Sequence, residues 1–222
     1  MPFVNIKRIG IGLLVALCVG LTIVGAVQFF ALKYLFEDNF QKRVALWEQR
    51  QKIAEMEEKL QIFQVIDDFQ SGFNQKEKGE LTSVIYDESK KYGFDPFLIL
   101  ALILSESSFK KYQESEMGAQ GLLQIKPSLA NDLAQRMDWE RKGGFSLFDP
   151  AFNIKLGALH LFKLFLKYKD LKKALIAYNM GENALQLRLE SGEPLPTYFV
   201  KKVLKNYQNL RNRYPKATVD ES

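Results

Sequence analysis

Cysteine and histidine are almost missing from this sequence of 222 residues, and their scarcity excludes two kinds of centre. Cys18 is the single cysteine, so the chain cannot close a disulfide on itself. His160 is the single histidine, and no clustered cysteines accompany it, so the usual ligand sets for zinc are missing. We therefore predict no metal site, and we interpret His160 as a partly buried helix residue rather than as a catalytic group.

Charge is missing altogether from residues 9–32. As a helix this stretch would be about 36 Å long, against about 30 Å for the hydrocarbon core of a bilayer. We therefore predict that residues 1–36 form an uncleaved signal anchor that crosses a membrane once, with Lys7 and Arg8 on the inside. The alternative is a signal peptide cleaved at the small residues 24–26, although the apolar run continues past that point without a polar region.

The sequence also lacks any alternating apolar and polar run long enough for a β-strand, so we predict an all-α protein. In residues 37–78 apolar side chains recur every seven residues or so among charged ones, which predicts an amphipathic helical stalk with a hinge near residues 71–79. Such a stalk can pair with a second copy in a dimer, or it can lie on the domain that follows. The sequence leaves both open. The apolar positions are Leu46, Ile53, Met56, Leu60 and Phe63.

Residues 79–214 have helical patterning throughout, and we predict that they form one compact domain followed by a tail at residues 215–222. Helix ends can be assigned where the chemistry is clear, because Asp is a good N-cap, Pro is favoured at the first helical position and Gly commonly follows the last turn. The predicted starts are Asp95-Pro96, Ser128, Asp149-Pro150, Asp170 and Thr197, and the predicted ends include Gly93, Gly181 and Arg213.

One acidic residue stands out in this domain, Glu106, at the end of the apolar run 97–104. A helix that is apolar nearly all round is buried, so Glu106 should lie in the last turn of a buried helix. Burial disfavours the charged form of a carboxyl group and raises its pKa, and a carboxylic acid that stays protonated near neutral pH can act as a general acid. The alternative is a glutamate that ends a helix and points into water.

Four motifs follow one another in a fixed order, and the ordered set is more specific than any one of them. Together they resemble the lytic transglycosylase domain of the soluble-lytic-transglycosylase type, which is related to goose-type lysozyme. The resemblance covers about residues 81–210 and nothing before them. The motifs are Glu106-Ser107-Ser108-Phe109, the stretch 115–124 reading SEMGAQGLLQ before Pro127, Asp149-Pro150 with Asn153-Ile154 and Gly157, and the stretch 177–181 reading AYNMG.

The resemblance implies a lysozyme-like helical domain that cleaves peptidoglycan between N-acetylmuramic acid and N-acetylglucosamine. In this family the 6-hydroxyl of the muramic acid closes on C1 and leaves a 1,6-anhydro product. The single catalytic acid of the family corresponds to Glu106, which would protonate the glycosidic oxygen and then accept the proton of the 6-hydroxyl. Most glycosidases need two carboxylates, and the second is dispensable when the substrate supplies the nucleophile. The family needs no metal or cofactor.

The resemblance also implies which residues bind the glycan. Gln124 corresponds to the last residue of a loop that lines the sugar-binding cleft, and its amide can both donate and accept hydrogen bonds. Tyr178 would orient the catalytic carboxyl group through its hydroxyl, and Asn179 would contact sugar or hold the loop. The remaining expected substrate-binding residues are Ser107, Ser115 and Tyr198.

The chain departs from the family pattern in two places that bear on the site. A tyrosine is expected shortly before a valine on the last helix; the spacing from Val203 points to Phe199, while Tyr198 lies one residue early. The sequence leaves open which of the two faces the cleft. His160 stands where the family often has tyrosine.

The uncharged run predicts an anchor through residues 9–32, and together with it the resemblance implies a protein of the inner membrane with its catalytic domain in the periplasm. The net charge of +5 suits a polyanionic wall or an anionic lipid surface, but no nucleic-acid motif accompanies it, so we exclude a nucleic-acid partner. Two other functions stay open: a glycan-binding scaffold without activity that docks on an envelope or secretion complex, and a lysozyme-like hydrolase.

Overall fold

The computed structural model describes residues 6–69, 72–136 and 146–215. Within these ranges the chain forms eight α-helices and no β-strand. The only β-type pairing in the described residues is two isolated bridges, Glu114 with Gln120 and Gln120 with Ile125. The prediction of an all-α protein is confirmed for this part of the chain. The helices are α1 Ile6–Asp68, α2 Gln75–Tyr92, α3 Pro96–Glu106, α4 Pro127–Arg136, α5 Pro150–Tyr168, α6 Leu171–Met180, α7 Glu182–Ser191 and α8 Tyr198–Arg213.

The chain divides into two compact units, residues 1–55 and residues 56–222. In the first unit the described residues belong to α1, and their most apolar window of 18 residues has a mean hydropathy of 2.5 with none of it buried. The helix is long and apolar enough to cross a membrane, by length and composition. The prediction of an apolar N-terminal helix is confirmed, and its role as an uncleaved anchor stays a prediction.

The last turns of α1 belong to the second unit. Ile62, Val65 and Ile66 are fully buried there, and they are part of its apolar core. The sequence leaves open whether the stalk pairs with a second copy or lies on the domain that follows. These turns of α1 lie on that domain. The compact unit begins at Met56, well before the predicted start at residue 79.

The predicted hinge is mostly helix. Gln70 and Ser71 lie outside the described residues, whereas residues 75–79 form the first turns of α2. Asn74 begins that helix with a capping box: its side chain accepts a hydrogen bond from the backbone N–H of Glu77, and the Glu77 carboxylate accepts one from the N–H of Asn74. This local pairing outweighs the turn tendency of the glycine and polar residues around it.

The buried centre of the second unit is α3, whose residues from Pro96 to Ile103 are all buried. Its start is the predicted one, because the Asp95 side chain accepts a hydrogen bond from the N–H of Phe97. The starts of α5 and α6 are confirmed in the same way by Asp149 and Asp170. Helix α4 begins at Pro127, one residue before the predicted Ser128.

Helix α8 fixes both ends of α3, so the two helices lie antiparallel. At the start of α3, Asp95 accepts a hydrogen bond from the hydroxyl of Tyr207 and forms an ion pair with Arg211. Burial raises the pKa of Asp95, but the hydrogen bonds from Arg211 and Tyr207 outweigh it and hold that pKa below its usual value. At the end of α3, Lys202 and Asn206 bind Ser105.

Candidate active site

Glu106 is the last residue of α3, as the sequence predicts, and it is half-buried. Burial raises the pKa of its carboxyl group from 4.5 to about 7, and the positive charge of Lys202 opposes that rise. The alternative of a glutamate that merely points into water does not fit this environment. A carboxyl group with a pKa near 7 can both donate and accept a proton at neutral pH, which is what acid–base catalysis requires.

The loop of residues 113–125 follows α3 and carries Gln124. The two β-bridges close it on itself, and the hydroxyl of Ser115 accepts a hydrogen bond of 3.0 Å from the N–H of Ala119. Gln124 has a left-handed backbone, with φ of 48°, which is uncommon for a residue other than glycine. Its amide nitrogen donates to the carbonyl oxygens of Gln113 and Gly121, at 3.1 and 2.9 Å. Its amide oxygen takes part in neither bond.

Asn153 on α5 fastens this loop to the core. Its side chain is fully buried, and its oxygen accepts a hydrogen bond of 2.7 Å from the N–H of Leu123. Its amide nitrogen donates to the carbonyl oxygens of Gln120 and Leu147, both at 2.9 Å. One buried amide therefore binds three backbone groups, so it determines where the loop lies.

Gly121 lies close to Asn153, and this explains why glycine occupies that position. A Cβ atom at Gly121 would come within 2.3 Å of both the Asn153 amide nitrogen and the Leu147 carbonyl oxygen. The residue also has a φ of 79°, a conformation that costs glycine little. The loop can therefore approach α5 this closely only with glycine at this position.

Tyr178 on α6 lies near Glu106 but binds the loop. Its hydroxyl donates a hydrogen bond of 2.9 Å to the carbonyl oxygen of Leu123. Burial raises the pKa of this tyrosine well above its usual value, and the negative charge of Glu106 adds to the rise. The single hydroxyl proton is used in this bond, so Tyr178 could orient the Glu106 carboxyl group only by accepting a hydrogen bond from it, and the expectation that it orients that group stays a prediction.

Gly157 on α5 lets Leu123 and Tyr178 come together. A Cβ atom there would lie 2.3 Å from Cδ1 of Leu123 and 3.0 Å from the Tyr178 hydroxyl. His160, one turn further along α5, places its ring 5.2 Å from the Tyr178 ring. Burial lowers the pKa of His160 to about 4, so the imidazole is neutral at pH 7. This agrees with the interpretation of His160 as a partly buried helix residue.

The other expected substrate-binding residues differ in their surroundings. Ser107 is buried, and its hydroxyl donates a hydrogen bond of 3.2 Å to the carbonyl oxygen of Ile103 at the end of α3, so its contact with a ligand stays a prediction. Asn179 is exposed beside Tyr178. Tyr198 is 81% exposed, whereas Phe199 is 9% exposed and packs in the core, so of the two only Tyr198 is available to a ligand.

Sequence reasoning missed Lys202, the residue of α8 whose charge acts on Glu106. Its ammonium group donates a hydrogen bond of 2.5 Å to the carbonyl oxygen of Ser105, the residue before Glu106. The only sequence signal is that Lys202 follows the buried Val200 and precedes the buried Val203 on an amphipathic helix. Two other lysines, Lys201 and Lys205, stand on the same helix, so this pattern does not single out Lys202.

Residues 83–193, half of the chain, match the family model described as Transglycosylase SLT domain. Over 149 residues the chain is 34% identical to the membrane-bound lytic murein transglycosylase C of Shigella sonnei, an alignment covering 60% of this chain and 41% of that protein. It is 35% identical over 95 residues to the transglycosylase of Enterobacteria phage PRD1, covering 43% of this chain and 32% of that one. The chain thus spans less than half the length of these curated relatives.

Among solved structures, the chain is similar to the 70-kDa soluble lytic transglycosylase of Escherichia coli. The superposition has a TM-score of 0.45 at 21% identity and covers 59% of this chain and 22% of that one. A lytic transglycosylase from Pseudomonas aeruginosa superposes with a TM-score of 0.43 at 23% identity, over 59% of this chain and 22% of that one.

Proposed function

Because the chain belongs to the Transglycosylase SLT domain family, we propose that it is a peptidoglycan lytic transglycosylase with Glu106 as its catalytic residue. The observation that carries the proposal is a carboxyl group at the end of a buried helix with a pKa of about 7, beside a loop held in place by Asn153 and Tyr178. The substrate bond is the β-1,4 linkage from N-acetylmuramic acid to N-acetylglucosamine.

The reaction needs one proton to be given and one to be taken back. Protonated Glu106 donates its proton to the glycosidic oxygen, the bond from C1 to that oxygen breaks, and N-acetylglucosamine leaves with a free 4-hydroxyl. The 6-hydroxyl of the muramic acid then attacks the positively charged C1, and its proton passes to the Glu106 carboxylate. The product is 1,6-anhydro-N-acetylmuramic acid, and Glu106 ends in its starting form. The substrate thus replaces the second carboxylate of an ordinary glycosidase.

The glycan would lie along the loop that carries Gln124. Its amide nitrogen is occupied by backbone carbonyls, which leaves the amide oxygen as the atom that would accept a hydrogen bond from an N-acetyl N–H or a sugar hydroxyl. Asn179 and Tyr198 are exposed and would add contacts from α6 and α8. Ser115 would act through the shape of the loop, since its hydroxyl binds Ala119.

The N-terminal helix would anchor this enzyme to its compartment. We propose that residues 9–32 cross the inner membrane once and that the catalytic unit lies in the periplasm, where peptidoglycan is found. The apolar composition of the helix supports the anchor, and the substrate supports the orientation.

The proposed function is tested by digesting purified peptidoglycan with the full chain in detergent and analysing the products by mass spectrometry. The unchanged protein should release anhydro-muropeptides, and Glu106→Gln should release at least 1,000-fold less, because an amide has no proton to donate at neutral pH (the factor is roughly that of a lost general acid). Glu80→Gln, on an exposed glutamate of α2 outside the loop, is the matched control and should keep full activity.

Two outcomes would contradict the proposal. Full activity of Glu106→Gln would remove this residue from the mechanism. A folded, unchanged protein that binds peptidoglycan and releases nothing would instead be a glycan-binding scaffold.

A further inference from the structure

The end of α3 is held by two side chains of α8 that are one turn apart. Lys202 donates to the carbonyl oxygen of Ser105, and Asn206 donates 2.9 Å to the Ser105 hydroxyl oxygen. That hydroxyl in turn donates 2.7 Å to the carbonyl oxygen of Ala101 within α3. Ser105 is 5% exposed, so α8 holds a buried residue through both its backbone and its side chain. The next residue along the chain is Glu106.

The hydrogen bond from Lys202 to Ser105 places a positive charge next to the residue that precedes Glu106. The last carbonyl groups of a helix have no partner within the helix and form the negative end of its dipole, so they attract a cation. Lys202 occupies that position on α3, next to the residue before Glu106, and its positive charge acts to lower the pKa of the Glu106 carboxyl group. The ammonium group is held by a backbone atom, so its place does not depend on whether Glu106 is charged.

The titratable groups that face Glu106 come from two of the elements packed around it. Among the described residues these are Lys202 from α8 and Tyr178 from α6, and His160 of α5 lies behind the Tyr178 ring. Tyr178 is neutral and donates a hydrogen bond to the carbonyl oxygen of Leu123, and His160 is neutral at pH 7. Lys202 is therefore the one permanent charge among these three groups.

We propose that Lys202 is a positioning residue for catalysis, whose ammonium group keeps Glu106 able to give up and take back its proton at neutral pH. A buried carboxyl group without a cation beside it would hold its proton tightly, which makes it a poor acid in the first step, where the glycosidic oxygen must take that proton. Acid–base catalysis is most efficient when the two directions are balanced near the working pH. The inference rests on the proposed function for its purpose, and on the contact with Ser105 for its physical basis.

The test compares three variants of the full chain in detergent. Lys202→Met removes both the charge and the hydrogen bond, Lys202→Gln keeps a neutral donor, and Lys202→Arg keeps the charge. Lys201→Met makes the same change of net charge at an exposed neighbour and is the matched control. Two quantities are measured for each protein. The first is the pH midpoint of the Glu106 titration by carbon-13 NMR, in which the signal of Glu106 is identified by its loss in Glu106→Gln. The second is the pH dependence of kcat/KM for release of the anhydro product.

We expect Lys202→Met and Lys202→Gln to move the Glu106 midpoint to higher pH by roughly one unit, because an opposite charge nearby favours the charged form. The alkaline limb of the pH profile of kcat/KM, which reports the loss of protonated Glu106, should move to higher pH by the same amount. Lys202→Arg and Lys201→Met should leave both within about 0.3 units.

Two results separate the inference from a purely structural role and from the proposed function. If Lys202→Gln folds and lowers activity without moving either midpoint, Lys202 only ends α3 and the inference is overturned. If Lys202→Met does not fold, Lys202→Gln alone decides the question. If the NMR midpoint moves but the unchanged protein makes no anhydro product, the inference about the charge stands and the proposed function fails.

Discussion

At the scale of single residues, the site is a carboxyl group whose pKa is set by two opposing effects, burial and a nearby positive charge. Burial at the end of α3 raises the pKa of Glu106, and Lys202 limits the rise to about 7. Tyr178 is close enough for its own pKa to rise in response to the charge of Glu106. The same burial that makes Glu106 a useful acid also makes its charged form unfavourable in the folded protein.

This conflict predicts a pH-dependent effect of Glu106→Gln on stability. The pKa of Glu106 is about 7 in the folded protein and near 4.5 in the unfolded one. The contribution of this group to stability is therefore fully present below pH 4.5 and is lost as the pH rises through 7. Relative to it, Glu106→Gln should gain about 3 kcal/mol in free energy of unfolding between pH 4 and pH 8.

Thermal unfolding of both full-length proteins in detergent at several pH values measures this gain. Glu116→Gln, at an exposed residue, should show no such trend. Parallel stability curves for Glu106→Gln and the unchanged protein would mean that Glu106 is not buried as described.

The sequence was enough to find Glu106 and not enough to find what acts on it. A carboxyl group after an apolar helix is visible in the order of residues, and so is Gln124 in its loop. Lys202 and Asn153 act through contacts made across α8 and α5, and each depends on the packing of helices far apart in sequence. For the same reason the partner of the Tyr178 hydroxyl, Leu123, could not be predicted.

At the scale of elements, α5 holds the loop of residues 113–125, and α8 holds α3, the helix that ends in Glu106. Gly157 allows α5 to touch Leu123, and Asn153 then binds the loop backbone. Tyr207 and Arg211 fix the start of α3 while Lys202 and Asn206 fix its end. The position of Glu106 relative to Gln124 therefore depends on rigid helices, which suits the proposed site, where a sugar ring would be held in one orientation.

A pair of glycine substitutions in helices tests this arrangement. Gly157→Ala would place a methyl group 2.3 Å from Cδ1 and 2.8 Å from Cβ of Leu123, so the loop must move. We expect a loss of roughly 1–3 kcal/mol in stability and a loss of activity of roughly 10- to 100-fold.

Gly79→Ala in α2 is the control, because a Cβ atom there meets nothing within 4 Å. It should gain about 0.5–1 kcal/mol, since alanine is the better helix former, and it should keep full activity. Urea unfolding and product release measure both variants. A Gly157→Ala protein as stable and active as the unchanged one would show that the close approach of α5 does not matter.

Most helices could be predicted because their ends carry local chemistry. Asp95, Asp149 and Asp170 each accept backbone hydrogen bonds at the start of a helix, as expected from sequence. Helix α7 was missed, and its features explain why: it begins at Gly181 without a side-chain cap, and Leu185 is its one buried residue among those described. Tertiary packing against the other helices compensates for the weak local signal.

At the scale of the whole molecule, the chain consists of an apolar N-terminal unit and a compact unit that begins at Met56. The charged repeat that predicted a stalk ends in residues that belong to the core, with Ile62, Val65 and Ile66 fully buried. A seven-residue rhythm cannot distinguish a helix that pairs with a second copy from one that packs on its own domain, because both need one apolar face.

The proposed anchor predicts the side of the membrane on which the compact unit lies. Protease added to spheroplasts of a Gram-negative bacterium that expresses the full chain should degrade the catalytic unit, because the proposed orientation exposes it on the outer side. In inverted vesicles the unit should be protected. Protection in spheroplasts and degradation in inverted vesicles would reverse the orientation, and release of the unit into the soluble fraction after signal cleavage would remove the anchor.

The central claim is that the substrate itself supplies the acceptor, and digestion of peptidoglycan in water labelled with oxygen-18 tests it most directly. The account predicts 1,6-anhydro ends without the label, since the 6-hydroxyl of the muramic acid attacks C1. Reducing ends that carry oxygen-18 at C1 would show that water attacks instead, and the chain would then be a hydrolase with a lysozyme-like mechanism.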